Sequence, residues 1–141
     1  MGLGTFRPVQ VEEIEDHRMH EEFYHIDADT AEAVTKAKTE GRRVICVGTT
    51  AVRTLESAAV LDSEKRPSVR AGWGSTDLFL YPQGPQILIT DGLITNFHLP
   101  KSTLLMLVSA FYNREKILSA YKHAIKAEYR FFSYGDAMLI L

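Results

Sequence analysis

An apolar run, a turn and an amphipathic helix in direct succession constrain the fold of this chain more than any other feature. Residues 43–47 form a β-branched apolar run, Gly48-Thr49-Thr50 interrupts it, and apolar side chains between Val52 and Val60 recur at helical spacing. A strand that passes through a tight turn into a helix is the building unit of α/β proteins. The 141 residues, of which 45% are hydrophobic and 24% charged, therefore predict a single α/β domain over residues 1–141.

Other segments fit the same fold class. Asp29 or Thr30 is the predicted N-cap of the first helix, which Gly41 ends. Asp91-Gly92 lies between two alternating apolar runs and predicts a β-hairpin or, alternatively, one strand kinked at Gly92. The pattern further predicts strands at 23–26, 43–47, 78–81 and 137–141, helices at 31–38, from Ala51, after Ser102 and from Arg114 to Glu128, and a mobile loop at 62–76.

Charge and cysteine content exclude several classes of protein. The net charge of -2 gives no overall attraction to nucleic acid, although basic residues outnumber acids between Lys101 and Arg130. Cys46 is the only cysteine and lies in an apolar run, which excludes a disulfide framework and predicts a buried, unreactive thiol. No apolar stretch approaches the length of a membrane span and Met1–Thr5 is unlike a signal peptide, so we expect a cytoplasmic protein without membrane contact. We also expect a monomer.

The turn at Thr49 and Thr50 is the first candidate for ligand binding. The opening N–H groups of a helix are unpaired and attract carboxylates, ribose or phosphate, and two threonine hydroxyls stand beside them here. Arg53 and Glu56 follow one helical turn apart, on the same side of the helix. The alternative interpretation is a capped helix with a surface ion pair.

The second candidate is the segment Thr95–Thr103, where a predicted strand again meets a helix. Asn96, His98 and Lys101 converge there with several hydroxyl side chains. In α/β folds the loops at the carboxyl ends of strands hold ligands, and the ordinary pKa of histidine suits acid–base work. Lys101 suits phosphate or carboxylate. The alternative is a loop histidine with structural hydrogen bonds only.

Two further clusters are weaker candidates. His17, His20 and His25 lack the cysteines or matched acids of a zinc site, so no metal is predicted. The functional interpretation is a loop that contacts substrate, and the favoured alternative is an inert polar loop. Residues 129–136 interleave aromatic side chains with Arg130 and Asp136. Such a segment either stacks on a base or belongs to the core.

Five stretches carry a resemblance to a known family: Gly2–Pro8, Glu15–His20, Val47–Glu56, Asp91–Leu107 and Tyr129–Ile140. They resemble signature stretches of the S-adenosylmethionine:tRNA ribosyltransferase-isomerase family, which builds the cyclopentene group of queuosine in tRNA. The stretches follow the family's order with similar spacing and cover nearly the whole chain. Ala51 stands where the family frequently has Ser, which argues against a catalytic hydroxyl there, and residues 81–86 differ from the family's usual Gly-Tyr turn.

The resemblance implies a fold and a reaction. The chain looks like the C-terminal portion of the family, a partial barrel-like α/β domain without the N-terminal portion and the inserted β-barrel domain. The ribosyl part of S-adenosylmethionine, used as a substrate, would pass to 7-aminomethyl-7-deazaguanine at the tRNA wobble position, giving epoxyqueuosine, adenine and methionine. A base would act next to the sulfonium and an acid would help adenine leave, with no metal.

On this resemblance we hypothesise that His98 and Lys101 are catalytic and that Asn96 orients substrate. A module that folds, and binds tRNA without turnover, is the alternative, and the abrupt start at residues 2–8 agrees with a piece of a longer protein. An ordinary methyltransferase is disfavoured because no glycine-rich cofactor loop is present. The remaining predicted substrate contacts are Thr49, Thr50, Arg53 and Glu56, followed by Arg7, His17 and His20.

Overall fold

A computed structural model describes residue 14 and residues 17–141, which alternate strands and helices over most of their length. The predicted run of strands and helices is largely present, although several bounds differ. The elements are β1 (Glu22–Ile26), α1 (Ala28–Thr39), β2 (Ile45–Val47), α2 (Thr49–Ser57), β3 (Ala59–Leu61), β4 (Pro67–Val69), β5 (Gly72–Thr76), β6 (Gly92–Asn96), α3 (Thr103–Ala110), α4 (Arg114–Lys126) and β7 (Ala137–Ile140).

The described strands form three open sheets. The main sheet has the order β2-β6-β7, with β2 and β6 parallel and β6 and β7 antiparallel. Two antiparallel ribbons, β1-β5 and β3-β4, accompany it. The predicted α/β class is confirmed, whereas the strands described here close into no barrel, so the barrel-like arrangement stays a prediction.

The main sheet carries helices on one face. Cys46, Leu93 and Ile140 pair across the three strands and point into a core that α2, α3 and α4 complete. On the opposite face Val47 and Leu139 are exposed. Cys46 is buried, as predicted, and burial raises the pKa of its thiol, which disfavours the reactive thiolate.

Helix starts follow the predicted capping chemistry, with one shift. Ser102 caps α3 as predicted, since its hydroxyl accepts a hydrogen bond from the Leu105 N–H at 3.2 Å. The cap of α1 is Asp27, whose carboxylate accepts from the Thr30 N–H at 2.7 Å, so the assignment to Asp29 or Thr30 was wrong. Asp27 lies three residues before that amide, which is the reach of an N-cap side chain.

The predicted hairpin at Asp91-Gly92 is absent, and Gly92 instead begins β6. The Asp91 carboxylate accepts from the Lys38 ammonium at 2.8 Å and the Val44 N–H at 2.9 Å, which aligns β6 beside β2. Gly92 has no positive φ, whereas a type I′ turn needs one. A Cβ at Gly92 would meet the Ile140 carbonyl oxygen at 2.9 Å, so close packing of strands accounts for this glycine.

Residues 62–76 are more regular than their composition predicts. They contain β4 and β5, and β5 pairs with β1 from Glu22 opposite Thr76 to Ile26 opposite Gly72. Backbone pairing with a strand far away in sequence overrides local turn signals, so the predicted loop was wrong there. Residues 78–81, predicted as a strand, join no sheet. Within residues 17–141, none of the helices has the length and hydropathy that crossing a bilayer requires.

Candidate functional site

The two predicted ligand turns lie at one edge of the main sheet. Because β2 and β6 are parallel, with Val47 opposite Ile94, their carboxyl ends point the same way. The Gly48 N–H donates to the Ile94 carbonyl at 2.8 Å and extends that pairing into the first turn. Loops at this edge are where open α/β sheets hold ligands. The fold therefore brings together two segments that lie about fifty residues apart in the sequence.

Glycine is required at the first turn. Gly48 has φ 88° and ψ 146°, a backbone region that is almost exclusive to glycine. This turn lets α2 begin at Thr49, two residues before the predicted start. Thr49 is buried and Thr50 is exposed, and no side chain caps the helix. Thr50 is thus the hydroxyl of this turn that faces solvent.

Arg53 lies inside the protein, although it was predicted to face a ligand. Its side chain is buried, its Nη1 lies 2.7 Å from the Glu22 carboxylate, and its Nε donates to the Leu78 carbonyl at 3.1 Å. Such a pair ties α2 to β1 and to the segment after β5. The sequence held no local signal for it, because Glu22 is 31 residues away.

Glu56 also bonds within the protein. Its carboxylate accepts three successive backbone N–H groups, from Leu88 at 2.7 Å, Ile89 at 3.1 Å and Thr90 at 2.8 Å. Charge-assisted bonds of this kind are stronger than neutral ones. Glu56 thereby fixes the segment that leads into β6. The ion pair with Arg53 that helical spacing suggested is replaced by these two separate sets of contacts.

His98 is held from two sides at the second turn. Its Nε2 lies 3.0 Å from the Thr95 hydroxyl, and its backbone N–H donates to the Tyr121 hydroxyl at 3.0 Å. Thr95 is the penultimate residue of β6 and is buried, and Tyr121 belongs to α4. Its spacing in the sequence places Tyr121 on the apolar side of α4 but does not reveal that its hydroxyl reaches another element.

Burial lowers the pKa of the His98 imidazole to about 4. The cause is desolvation, which disfavours the charged form of the ring. At neutral pH His98 is therefore uncharged and has a lone pair on one ring nitrogen. A neutral imidazole is able to accept a proton, and its conjugate acid is strong.

A cavity of about 200 Å³ adjoins His98. Asn96 lies in its wall, and its amide also donates to the Asp136 carbonyl at 3.2 Å. Lys101 is exposed, has φ 59° and does not line this cavity. The structure thus brings Asn96 and His98 together and leaves Lys101 at the rim of the turn. The other lining residues are Phe97, Leu99, Ser102, Leu104, Phe132 and Ser133.

The segment from Arg130 to Asp136 closes on itself beside the cavity. The two side chains form an ion pair at 3.2 Å, and the Asp136 carboxylate accepts the Arg130 N–H at 2.7 Å. Hydrogen bonds from Arg130 hold the pKa of the Asp136 carboxyl below its usual value. A Cβ at Gly135 would clash with the carbonyl oxygen of Arg130, so this tight loop requires glycine. Phe131 packs on Phe97, as the core interpretation predicts, whereas Phe132 is exposed, and stacking on a base stays a prediction.

The remaining predicted contacts lie elsewhere. The His17 ring packs against Phe79 with centroids 4.9 Å apart, and desolvation with nearby His20 lowers the pKa of His17. His20 is exposed. Arg7 lies outside the described residues. Among the residues that are described, no group of three or more His, Cys, Asp or Glu side chains is placed to hold a metal ion.

Comparisons with known proteins agree with the resemblance. The profile of the family described as queuosine biosynthesis protein matches residues 1–140. The S-adenosylmethionine:tRNA ribosyltransferase-isomerases of Heliobacterium modesticaldum and Carboxydothermus hydrogenoformans are each 62% identical over 141 residues, which is all of this chain and 40% of each relative. The chain thus spans 40% of the length of these curated relatives.

A solved structure supports the fold. The crystal structure of an S-adenosylmethionine tRNA ribosyltransferase from Thermotoga maritima superposes with a TM-score of 0.73 at 46% sequence identity. The match covers 84% of this chain and 40% of that one. The arrangement of strands and helices described above is therefore found in an experimentally determined relative.

Proposed function

The chain belongs to the queuosine biosynthesis protein family, and from that premise we propose that it carries part of the active site of an S-adenosylmethionine:tRNA ribosyltransferase-isomerase. The proposed reaction moves the ribosyl group of S-adenosylmethionine to 7-aminomethyl-7-deazaguanine in tRNA and isomerises it, giving epoxyqueuosine, adenine and methionine. The observation that carries the proposal is His98, held by Thr95 and Tyr121 beside a cavity at the strand edge.

His98 is the proposed proton-transfer residue. A neutral ring at pH 7 accepts a proton from the carbon next to the sulfonium, and the resulting imidazolium is acidic enough to protonate departing adenine. The low pKa limits its strength as a base and strengthens it as an acid. Asn96 forms part of the cavity wall, and Thr50 presents a hydroxyl at the neighbouring turn.

Arg53 and Glu56 support this site indirectly in our proposal. Arg53 ties α2 to β1, and Glu56 fixes the entry to β6, so both hold the two turns in place. Lys101 contacts a phosphate of the tRNA backbone from its exposed position rather than the reacting atoms. His17, His20 and Arg7 remain proposed substrate contacts.

The test requires the part of the enzyme that lies outside these 141 residues, since the chain spans 40% of the length of its relatives. A chimera that joins residues 1–141 to the preceding part of the Heliobacterium relative is given S-adenosylmethionine and tRNA with the 7-aminomethyl base, and adenine release is measured by chromatography. We expect His98→Ala to lower turnover roughly 100- to 10,000-fold. His123→Ala, on the exposed side of α4, is the matched control.

The chimera also separates the alternative. Because the chain spans 40% of its relatives, a module that binds tRNA without turnover is the second candidate. Binding of tRNA with no adenine release favours that module. Turnover that is unchanged in His98→Ala removes His98 from the mechanism.

A further inference from the structure

We propose that the cavity between His98 and Phe132 binds one planar, purine-like base, with the Phe132 ring as its stacking surface. This rests on the function proposed above, since adenine and 7-deazaguanine are the two such bases in that reaction. Phe132 is the residue this inference adds to the site.

Two adjacent phenylalanines point in opposite directions. The Phe131 ring lies 5.2 Å from Phe97 and 6.0 Å from Tyr121, within the aromatic part of the core. Phe132 has φ 70°, is 59% exposed and lines the cavity. Exposing a ring of this size costs hydrophobic stabilisation, and a bulky residue with positive φ is a backbone outlier. Outliers of this kind cluster at ligand sites, where the surrounding structure holds them.

The loop around Phe132 holds its backbone in position. The Phe132 N–H donates to the Phe97 carbonyl at 3.2 Å, directly before His98 in the sequence. The Gly135 N–H donates back to the Phe132 carbonyl at 2.9 Å, and the Asp136 N–H donates to the Arg130 carbonyl at 2.8 Å. Because the backbone is already fixed, only the side-chain freedom of Phe132 is lost when a flat ligand stacks on its ring.

Size and lining fit a single base. The cavity of about 200 Å³ is smaller than the roughly 300–1,000 Å³ of sites for drug-sized ligands. One bicyclic ring system fits that volume better than a whole nucleoside. Leu99 and Leu104 contribute apolar walls, while Ser133 contributes a hydroxyl that hydrogen-bonds ring nitrogens or exocyclic groups. The Ser102 hydroxyl also lines the cavity but already donates to the Leu99 carbonyl at 2.7 Å. A phenylalanine face beside polar groups is a common way to hold a flat base.

The test measures base binding by the 141-residue chain. Adenine and 7-aminomethyl-7-deazaguanine are titrated separately, with ligand-observed NMR, against the wild-type chain and Phe132→Leu. We expect one or both bases to bind, and Phe132→Leu to weaken that binding roughly 5- to 100-fold, the usual effect of removing a stacked ring. Phe132→Trp keeps a flat face and retains binding. Tyr134→Leu is the matched control, because Tyr134 is 97% exposed and does not line the cavity.

The outcomes separate this inference from the proposed reaction. Binding that is equal in wild type and Phe132→Leu, or a wild-type chain that binds neither base, overturns the inference. If base binding by the chain depends on Phe132 but the chimera releases no adenine, the stacking surface is supported and the proposed reaction is refuted. The base that binds more tightly identifies which substrate occupies the cavity.

Discussion

Replacing Glu56 with Gln tests whether this carboxylate is a structural anchor. One carboxylate oxygen accepts from Leu88 at 2.7 Å and the other from Ile89 at 3.1 Å and Thr90 at 2.8 Å. Glutamine keeps one acceptor oxygen and turns the other into an N–H₂ donor, so at least one backbone N–H faces a donor. Losing a charge-assisted bond and stranding a partly buried amide together cost about 2–4 kcal/mol.

Urea unfolding followed by circular dichroism measures this loss as a change in the free energy of unfolding. Glu64→Gln is the control, because the Glu64 pair with Arg66 is exposed and pairs of that kind contribute about 0–1 kcal/mol. A Glu56→Gln chain within about 0.5 kcal/mol of wild type would refute the anchor. If Glu56→Gln lowers turnover in the chimera without lowering the free energy of unfolding, Glu56 contacts the ligand, as the sequence predicted.

Three other perturbations follow from described contacts. Burial lowers the pKa of His98 from 6.5 to about 4, so the unfolded chain binds more protons than the folded chain between these pH values. The free energy of unfolding is therefore highest above pH 6.5 and falls as the pH drops towards 4, by at most about 3 kcal/mol. His98→Gln removes this slope in a pH series of urea titrations. Arg53→Met removes the 2.7 Å ion pair of the buried Glu22 carboxylate and lowers the free energy of unfolding by about 3–5 kcal/mol. Adding Glu22→Met to the same chain restores part of the lost free energy. Thermal melts of the single and double variants measure both changes. Gly48→Ala costs about 1–3 kcal/mol in chemical denaturation, because a Cβ there meets no atom within 4 Å and the penalty comes from φ 88° alone; an unchanged midpoint contradicts the backbone argument.

Local chemistry predicted the parts of the fold that depend on neighbouring residues. The apolar run with Gly48 predicted β2 and the turn into α2, and Ser102 predicted the start of α3. The hairpin predicted at Asp91-Gly92 was wrong because the same dipeptide also occurs where a strand begins. The partner that decides between them is Val44, which pairs with Asp91 from 47 residues away.

The candidate site divides in the same way. Its location at Thr49 and His98 was predictable, since strand ends that carry polar residues mark ligand edges. The roles of Arg53 and Glu56 were not, because helical spacing shows that two side chains share a face and not what lies against it. Phe131 packs in the core and Phe132 is exposed, and the positive φ of Phe132 accompanies this difference. The composition of the segment does not predict that angle.

The parallel pairing of β2 with β6 also fixes when the site can form. A strand pair that joins Val47 to Ile94 closes a long stretch of chain, and the entropy of that closure is lost before the contacts form. On the ribosome, the turn at Thr49 is made well before the turn at His98, and β6 must emerge before either has its neighbour. Folding of this edge is therefore expected only after β6 has been synthesised, and α1 and α2 precede the strand pairing that completes their side of the sheet.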